Sequence, residues 1–301
     1  MTTENLGISI VLTVIGAIIT IENLLVCFVV FRYRNLRTFT NGFIVSLAFS
    51  DALFGGVLLP LSLVDKNGMA AEYLKSIILQ ANTFNLLAVT FDRYLAVLVP
   101  LRYLEIMDKH FLKLPLAAWI TPVLISLIPL SWKNNLDTLA HRVFLICILV
   151  LGIVIPYVLI LCAYVRIFRE VARLVKSLAS SAMQNYPVDG RVMEERGRVH
   201  SEARVTRIFA VIAAIFVISW MPVIYMTTVF AVERPDLIPE ELPTVSWFTL
   251  VIGSFLNAPI YALFKSDFRK TLVRMLCRKK RSRSTWRPED CSQFSKSARW
   301  V

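Results

Sequence analysis

Seven long apolar blocks constrain this chain more than any other feature of its sequence. Each block is long enough to cross a lipid bilayer, which takes roughly 20 residues. The chain as a whole is 56% hydrophobic, with a mean hydropathy of +0.63. Such a composition excludes a soluble globular enzyme, a disulfide-rich secreted domain and a disordered protein. The blocks are predicted at 7–32, 41–64, 71–99, 114–131, 143–168, 205–231 and 243–264.

Backbone chemistry decides what these blocks form. A segment in hydrocarbon must satisfy its own backbone hydrogen bonds, and the blocks are too long and too continuously apolar for barrel strands. The sequence therefore predicts an all-α fold, a bundle of seven transmembrane helices. We expect an extracellular N-terminus at 1–6, a membrane domain at 7–264, a short amphipathic helix at 265–276 and a basic cytoplasmic tail at 277–301.

The distribution of positive charge predicts the orientation of the bundle. Most of the 33 Lys and Arg residues follow the first, third and fifth blocks or lie in the tail. Because cytoplasmic loops are enriched in Lys and Arg, we expect the N-terminus outside and the C-terminus inside the plasma membrane. A basic cytoplasmic face suits anionic lipid, so the net charge of +12 requires no nucleic acid partner.

The segment after the seventh block has the pattern of a helix on a membrane surface. Phe264, Phe268 and Leu272 fall on one face at helical spacing, with basic residues around them. Cys277 follows directly and is a candidate for palmitoylation. The basic run 278–281 is compatible with a nuclear signal, but beside a membrane it indicates contact with anionic lipid. The five cysteines form no CxxC pair, so no thiolate metal site is predicted.

Polar side chains inside the apolar blocks are costly to insert into a membrane and therefore indicate a structural or functional role. A central Asp costs roughly 2.5–3.5 kcal/mol on insertion scales. One explanation is interhelical hydrogen bonding, worth about 0.6–2 kcal/mol for each residue. The residues concerned are Asn23, Asp51, Asn82, Asn85, Asp92, Arg93 and Asn257.

The order of these residues and their neighbours resembles that of the rhodopsin-like (class A) G-protein-coupled receptors. Any one element is common by chance, but all of them occur in the family's order, each on the matching block. The similarity covers roughly residues 15–276. The elements are Asn23, Asp51, Asp92-Arg93-Tyr94, Trp119, Pro156 with Tyr164, Ser219-Trp220-Met221-Pro222 and Asn257-Ala258-Pro259-Ile260-Tyr261.

The resemblance implies a switch at the inner ends of the third and sixth helices. In the family the motif arginine pairs with acidic residues at rest, which implies a lock of Arg93 with Asp92 and Glu202. A solvated loop charge is the alternative for Glu202. Pro222 cannot continue the backbone hydrogen bonds, so the sixth helix is expected to kink there. Outward movement of its inner half would open a site for a heterotrimeric G protein, with Trp220 as the lever under the ligand.

Two further sets of residues are implied by the same resemblance. The first is a mid-membrane sodium pocket, which makes an allosteric sodium ion the one cofactor expected and leaves no other metal site. The second set takes part in G-protein coupling and activation, and the resemblance implies arrestin as a further partner. The pocket residues are Asp51, Asn82, Ser254 and Asn257. The coupling residues are Tyr94, Tyr164, Asn257, Pro259 and Tyr261.

The sequence departs from the family pattern at three places. Gly68 stands where most members carry the cysteine that forms a disulfide with the second extracellular loop, and that loop contains no Cys. The first-helix motif reads Glu22-Asn23 rather than Gly-Asn. Ala258 occupies the usual proline position of the seventh helix, with Pro259 one residue later, which shifts the expected kink around the helix.

The sequence does not identify the ligand. Amine receptors carry an Asp where this chain has Lys75, so a protonated amine is not expected. Lys75 is either a counter-ion for an acidic ligand or a lysine that snorkels or is balanced by Glu72. The stretch 129–136 is similar to adenosine receptors, but Thr227 replaces the Asn that those receptors use. The pocket candidates are Lys75, Leu79, Trp220 and Thr227.

Several classes of function are compatible with a membrane bundle. The favoured one is a receptor, not an enzyme, that passes an extracellular ligand signal to a G protein. A ligandless or constitutively active orphan receptor keeps the same fold. A transporter or channel would need related halves and paired charges along an aqueous path, which the sequence does not display. An intramembrane hydrolase would need a second catalytic group at the depth of Asp51.

Overall fold

The computed structural model of the chain describes residues 3–64, 68–132, 139–183 and 190–281, with side chains for residues 7, 9–64, 68–132, 139–177 and 203–275. The described residues form seven long helices and contain no strand, which confirms the predicted all-α bundle. We name the two ends of the bundle after Lys75 and Arg93, which lie near opposite ends of the third helix. The seven helices are Thr3–Arg32, Phe39–Val64, Met69–Leu98, Lys113–Trp132, 139–183, Gly190–Ala231 and Leu242–Phe264.

Three of these helices contain irregular segments. The second and fifth helices include π-helical segments at Phe54–Leu58 and Ile148–Val154. The fourth ends in a 3₁₀ segment, Ile128–Trp132. A π-helical turn inserts one extra residue into a helix, so side chains beyond it face a different neighbour than unbroken helical periodicity would give.

The third helix is central, and its composition reflects that position. Within the described part of the chain, six helices are apolar enough to cross a membrane by length and composition. The third is less apolar, because it carries Glu72, Lys75, Asp92 and Arg93. It packs against the second, fourth, fifth and sixth helices, so much of its surface faces protein instead of lipid.

The first and second helices approach closely at paired glycines. A Cβ atom on Gly55 would lie 2.6 Å from the Gly16 carbonyl oxygen, and one on Gly16 would lie 2.7 Å from the Gly55 carbonyl oxygen. The Thr20 hydroxyl donates to the carbonyls of Gly16 at 2.8 Å and Ala52 at 3.4 Å. Small residues allow this backbone approach, which van der Waals contacts stabilise in the absence of a hydrophobic driving force.

A helix that the apolar blocks do not predict lies between the third and fourth spanning helices. This loop helix, Pro100–His110, begins with a proline, whose fixed φ suits a first helical position. Phe111 follows it and packs against the rings of Phe39 at 5.2 Å and Phe43 at 5.5 Å. The Phe111 ring occupies the space where a side chain on Gly42 would begin. The loop helix is therefore fixed to the start of the second helix.

The predicted amphipathic helix is present after the seventh helix, at Ser266–Arg281. It continues beyond the expected boundary at 276. Phe268 is buried, and Leu272 and Met275 pack against the core, as the predicted apolar face requires. Phe264, which the sequence also placed on this face, is exposed and is the last residue of the seventh helix. The Lys265 ammonium group, just before it, donates to the Asn41 side chain of the second helix. The side chain of Cys277 lies outside the described residues, so its palmitoylation stays a prediction.

Aromatic contacts hold the second loop at the Lys75 end. Cys27, Cys147 and Cys162, the cysteines whose side chains the structure describes, are free thiols. Trp132 at the end of the fourth helix contacts the rings of Phe144 at 5.6 Å and His141 at 6.2 Å. These contacts join the end of the fourth helix to the start of the fifth, on either side of the second loop.

Candidate functional site

A buried ion pair lies at the Arg93 end of the third helix. Asp92 is fully buried, and Arg93 is 6% exposed. Arg93 donates to Asp92 Oδ2 from Nε at 2.9 Å and from Nη2 at 2.7 Å. Thr40 of the second helix donates to the same Asp92 oxygen at 2.9 Å and lies within hydrogen-bond distance of Arg93 Nη2. The predicted contact between Asp92 and Arg93 is therefore present in the structure.

The loop helix supplies another donor to this pair. The Tyr103 hydroxyl donates to Asp92 Oδ1 at 2.7 Å, so both carboxylate oxygens accept hydrogen bonds. Burial and the neighbouring Asp92 carboxylate raise the pKa of the Tyr103 phenol, which keeps it a donor. The motif alone gave no indication of Thr40 or Tyr103, because both reach the third helix from other elements.

The sixth helix contacts Arg93 through an aromatic ring. The Arg93 guanidinium carbon lies 5.5 Å from the centre of the Phe209 ring, a cation–π distance. Glu202 lies within the sixth helix, but its side chain is outside the described residues. The pairing of Arg93 with Glu202 therefore stays a prediction. Tyr94 does not join the pair; its hydroxyl accepts a hydrogen bond from Arg166 at 3.2 Å.

Substituting Tyr103 by phenylalanine tests how firmly the loop helix is held. The change removes a hydrogen bond to a buried carboxylate, which is worth about 1.5–3 kcal/mol. We expect a lower thermal unfolding midpoint and faster amide hydrogen exchange across residues 100–110. Tyr225→Phe removes the Tyr225 hydrogen bond to the Leu237 carbonyl at the other end of the bundle and serves as the control. Equal exchange in both variants would show that Tyr103 does not fix the loop helix.

Arg93 opens onto a large cavity. This cavity of about 1410 Å³ is lined by residues from the first, second, third, fifth and sixth helices, the loop helix and the start of the terminal helix. Its walls are mostly apolar, with cationic side chains between them. Apolar lining residues include Val45, Val97, Val171, Leu174 and Val205, and the cations are Arg37, Arg93 and Lys265.

A second buried carboxylate lies halfway along the bundle. Asp51 Oδ1 accepts from Asn82 Nδ2 at 2.6 Å, and Oδ2 accepts from Asn257 Nδ2 at 2.7 Å. Ser254 interacts with the same carboxylate. The four residues that the resemblance placed in a sodium pocket are therefore brought together from the second, third and seventh helices.

A small cavity adjoins this cluster. It measures about 20 Å³, enough for one water-sized particle, and Asn82, Ser254 and Asn257 line it. Trp220 and Leu79 line the same cavity. Carboxylate, hydroxyl and amide oxygens are the ligands that hard cations prefer, so the residues fit a small cation.

Asn85 has a structural role separate from this pocket. It accepts a hydrogen bond from Ser46 at 2.6 Å, and Ser46 accepts one from Trp119 at 3.0 Å. These bonds connect the second, third and fourth helices. For Asn85 the structure agrees with the simple explanation of interhelical hydrogen bonding.

Side chains from two neighbours bind the sixth helix near its proline. The Tyr157 hydroxyl donates to the carbonyls of Phe216 at 3.1 Å and Val217 at 2.6 Å. On the other side, the Thr249 hydroxyl donates to the Ser219 carbonyl at 2.9 Å. Pro222 lies inside the same helix and cannot donate a backbone hydrogen bond. The fifth and seventh helices therefore hold the sixth helix within the two turns before Pro222.

The aromatic residues expected in the switch are buried near this segment. Trp220 is 4% exposed, and its ring centre lies 5.4 Å from that of Phe216. Tyr164 and Tyr261 are also buried. The Tyr261 ring also contacts Phe209, whose ring covers Arg93. Pro259 lies inside the seventh helix, next to a buried Ala258.

The ligand candidates do not form one site in the structure. Lys75 donates to both carboxylate oxygens of Glu72 at 3.0 Å, in the balanced arrangement considered from the sequence. Leu79 and Trp220 line the small central cavity. Thr227 is half-buried in the sixth helix, five residues after Pro222.

Comparison with known proteins gives a consistent family. A family model described as "7 transmembrane receptor (rhodopsin family)" matches residues 22–261. The chain is 26% identical to an octopamine receptor beta-2R of Chilo suppressalis, over 88% of this chain and 78% of the relative. It is 26% identical to the human adenosine receptor A2a, over 90% and 73%. It is 30% identical to a D(5)-like dopamine receptor of Takifugu rubripes, over 84% and 63%.

Proposed function

Because the chain belongs to the rhodopsin family of seven-transmembrane receptors, a family of multi-pass membrane receptors that signal through G proteins, we propose that it passes a signal to a heterotrimeric G protein by outward movement of its sixth helix. The family is one of receptors rather than enzymes. In this proposal the Arg93 end faces the cytoplasm and the N-terminus is extracellular, in the plasma membrane.

The observation that carries the proposal is the position of Arg93 between a buried carboxylate and the sixth helix. Asp92 and Thr40 hold the guanidinium on one side, and the Phe209 ring covers it on the other. Movement of the sixth helix would withdraw Phe209 and leave the Arg93 guanidinium, which already lines the cavity, accessible to a partner. A cavity of about 1410 Å³ with apolar walls suits an amphipathic helix of a partner protein.

The sixth helix supplies the connection to the ligand side. Trp220 lies two residues before Pro222 and its ring is close to that of Phe216. From there the helix continues without interruption to Phe209. A ligand that displaces Trp220 would act on the segment held by Tyr157 and Thr249. Loss of those hydrogen bonds would free the helix to pivot at Pro222, where the backbone lacks a donor. Two arrangements of one packed helix are sufficient for a switch.

Sodium at the Asp51 cluster is part of the proposal. The ion would be held by Asp51 with Asn82, Ser254 and Asn257, beside the small cavity that Trp220 also lines. In this arrangement the ion would stabilise the form in which the helices are closely packed around it. Arrestin and anionic lipid are proposed as further partners at the basic end, and Cys277 as a palmitoylation site.

The ligand is proposed to differ from a protonated amine, although octopamine and dopamine receptors are among the similar proteins. The relevant position holds Lys75, a cation that Glu72 already balances. A cationic ligand would gain no counter-ion there. The pairing of Lys75 with Glu72 also favours the second candidate, a receptor that signals without a ligand, since Lys75 needs no ligand to balance its charge.

Glu202→Ala tests the resting lock. If Glu202 restrains Arg93, its removal raises basal G-protein activation in a cell-based proximity assay by about threefold to tenfold, which corresponds to about 0.7–1.4 kcal/mol. Glu105→Ala, an exposed carboxylate of the loop helix at the same end, is the matched control. A ligand library applied to the unmodified chain then separates a ligand-dependent receptor from a constitutive one. Absence of coupling under every ligand, with no effect of Glu202→Ala, would contradict the proposal.

A further inference from the structure

An ion pair joins the fifth and sixth helices at the Lys75 end of the bundle. Nη1 of Arg142, near the start of the fifth helix, lies 2.5 Å from Oε1 of Glu233. Glu233 is the second residue after the end of the sixth helix. Both side chains are about half exposed, so the pair can open without leaving a buried charge unpaired.

The backbone of Glu233 has a conformation that normally requires glycine. Its φ is +58°, the one positive value among the non-glycine residues that the structure describes. The Glu233 amide donates to the Phe230 carbonyl at 3.2 Å. The next amide, of Arg234, donates to the Val229 carbonyl at 3.1 Å, which completes the hydrogen-bond pattern of a Schellman cap. Glycine is usual at this position because a β-carbon is strained in the left-handed region, so a glutamate here indicates a role for its side chain.

Two further contacts make Glu233 move with the sixth helix. The Tyr225 hydroxyl, within the helix, donates to the Leu237 carbonyl of the following loop at 3.0 Å. Arg234 donates to the two carboxylate oxygens of Asp236 at 2.9 Å and 2.8 Å. The cation adjacent to Glu233 is therefore engaged inside the loop, and the ion pair of Glu233 reaches across to the fifth helix.

Pro222 lies between two connections of the sixth helix to the fifth. On the Arg93 side, the Tyr157 hydroxyl donates to main-chain carbonyls of the sixth helix. On the Lys75 side, Arg142 contacts Glu233. The sixth helix is continuous through Pro222, so a pivot there moves its two ends in opposite directions. The fifth helix therefore restrains both arms of this pivot.

The lengths of the two arms decide whether the ion pair survives a pivot. Phe209 lies thirteen residues before Pro222, about 20 Å along the helix, and Glu233 lies eleven residues after it, about 16 Å. A displacement of Phe209 is therefore matched at Glu233 by about four-fifths of its size. An ion pair needs its charged atoms within about 4 Å, so moving Glu233 away from Arg142 by about 1.5 Å is enough to break it.

We propose that Arg142 and Glu233 form a latch that keeps the sixth helix in its resting position on the fifth. Opening of the latch lowers the cost of the pivot at Pro222, so the chain signals more without any change at the site that meets the G protein. Because the pair is half exposed, ionic strength at the Lys75 end weakens it. This inference rests on the proposed function, since it requires that the sixth helix moves.

Removing either charge should raise basal G-protein activation. At matched surface expression, we expect a rise of about twofold to fivefold for Glu233→Gln and for Arg142→Gln, the range open to an exposed ion pair. The double variant should match the single ones, because both changes break one contact. Asp236→Asn breaks the equally exposed ion pair inside the same loop and should leave activation unchanged. Additive effects in the double variant, or an equal rise in Asp236→Asn, would overturn the latch.

Glu233→Gly separates the latch from the stability of the fold. Glycine adopts the left-handed conformation without strain, so this variant should keep or raise the thermal unfolding midpoint of the unmodified chain. It lacks the carboxylate, so its basal activation should rise as in Glu233→Gln. Raised activation with retained stability supports the latch, and unchanged activation overturns it.

A crosslink tests the latch by closing it. The double variant Arg142→Cys/Glu233→Cys is treated with a short bis-maleimide, and peptide mapping confirms the crosslink. The untreated variant should show the raised activation, and the crosslinked one should return to the level of the unmodified chain or below. Glu233→Cys alone, treated in the same way, is the control. Activation that stays raised after crosslinking would overturn the latch.

Arg93→Ala distinguishes failure of the latch from failure of the proposed function. If Arg93→Ala loses activation while the variants of Arg142 and Glu233 behave as the unmodified chain, the latch alone is wrong. If Arg93→Ala activates as well as the unmodified chain, the proposed function is wrong, and the latch falls with it.

Discussion

Arg93→Ala is expected to reduce G-protein activation by more than about tenfold at matched surface expression. The substitution removes the guanidinium that the partner would meet and leaves the Asp92 carboxylate buried without its cation. Breaking one side of a buried ion pair costs about 3–5 kcal/mol. Thr40 and Tyr103 would still donate to Asp92, so we expect the fold to survive with a lower unfolding midpoint. Proximity-based G-protein activation and surface labelling together measure both effects.

Two further substitutions separate charge from geometry. Arg93→Lys retains the positive charge but lacks the forked guanidinium that contacts Asp92 and Thr40 together, so we expect most of the loss to remain. Arg102→Ala removes an exposed arginine from the loop helix and should leave activation unchanged. If Arg93→Ala activates as well as Arg102→Ala, the guanidinium is not the element that the G protein requires.

Gly55→Ala is expected to have the second large effect, on stability. Alanine is favoured over glycine in a helix by about 1 kcal/mol, so propensity alone predicts stabilisation. Here the new methyl group would lie 2.6 Å from the Gly16 carbonyl oxygen and 3.0 Å from Ile19. Backbone atoms of the first helix must move away, and overpacking of this kind costs about 1–3 kcal/mol or more. We expect a lower thermal unfolding midpoint and less protein at the cell surface.

Gly7→Ala is the matched control for this substitution. Gly7 lies in the same pair of helices, and among the described residues no atom beyond its own stretch of helix lies within 4 Å of the position its Cβ would take. This change should be neutral or slightly stabilising. An unfolding midpoint for Gly55→Ala equal to that for Gly7→Ala would show that the two helices can separate without cost at the paired glycines.

The sequence predicted the helices that are determined by the residues within them. Apolar length and backbone hydrogen bonding suffice to place seven helices, and amphipathic spacing suffices for the terminal helix around Phe268. Helix ends were less predictable: the first helix begins at Thr3 and the terminal helix reaches Arg281, because nothing in hydropathy marks where a helix leaves the membrane. The loop helix Pro100–His110 was not predicted, because hydropathy does not mark a helix outside the membrane. Its position depends on contacts with the second helix, such as that of Phe111 with Phe39.

The candidate site was predictable where a motif names its residues. The structure brings Asp92 together with Arg93, and Asp51 with Asn82 and Asn257. Residues that serve these groups from other helices carried no sequence signal. Thr40, Tyr103 and Phe209 are ordinary residues until the fold brings them to Arg93, and a contact between distant segments cannot be read from the spacing within one of them.

The hydrogen bonds that hold the sixth helix have a consequence for how such a receptor can diversify. Tyr157 and Thr249 donate to main-chain oxygens, which every amino acid supplies in the same place. Heritable changes at 216, 217 and 219 can therefore alter the shape presented to a chemical stimulus while the tether itself persists. The residues that meet the stimulus can therefore change without loosening the sixth helix. Only the two donors, Tyr157 and Thr249, need to be conserved for the helix to stay held.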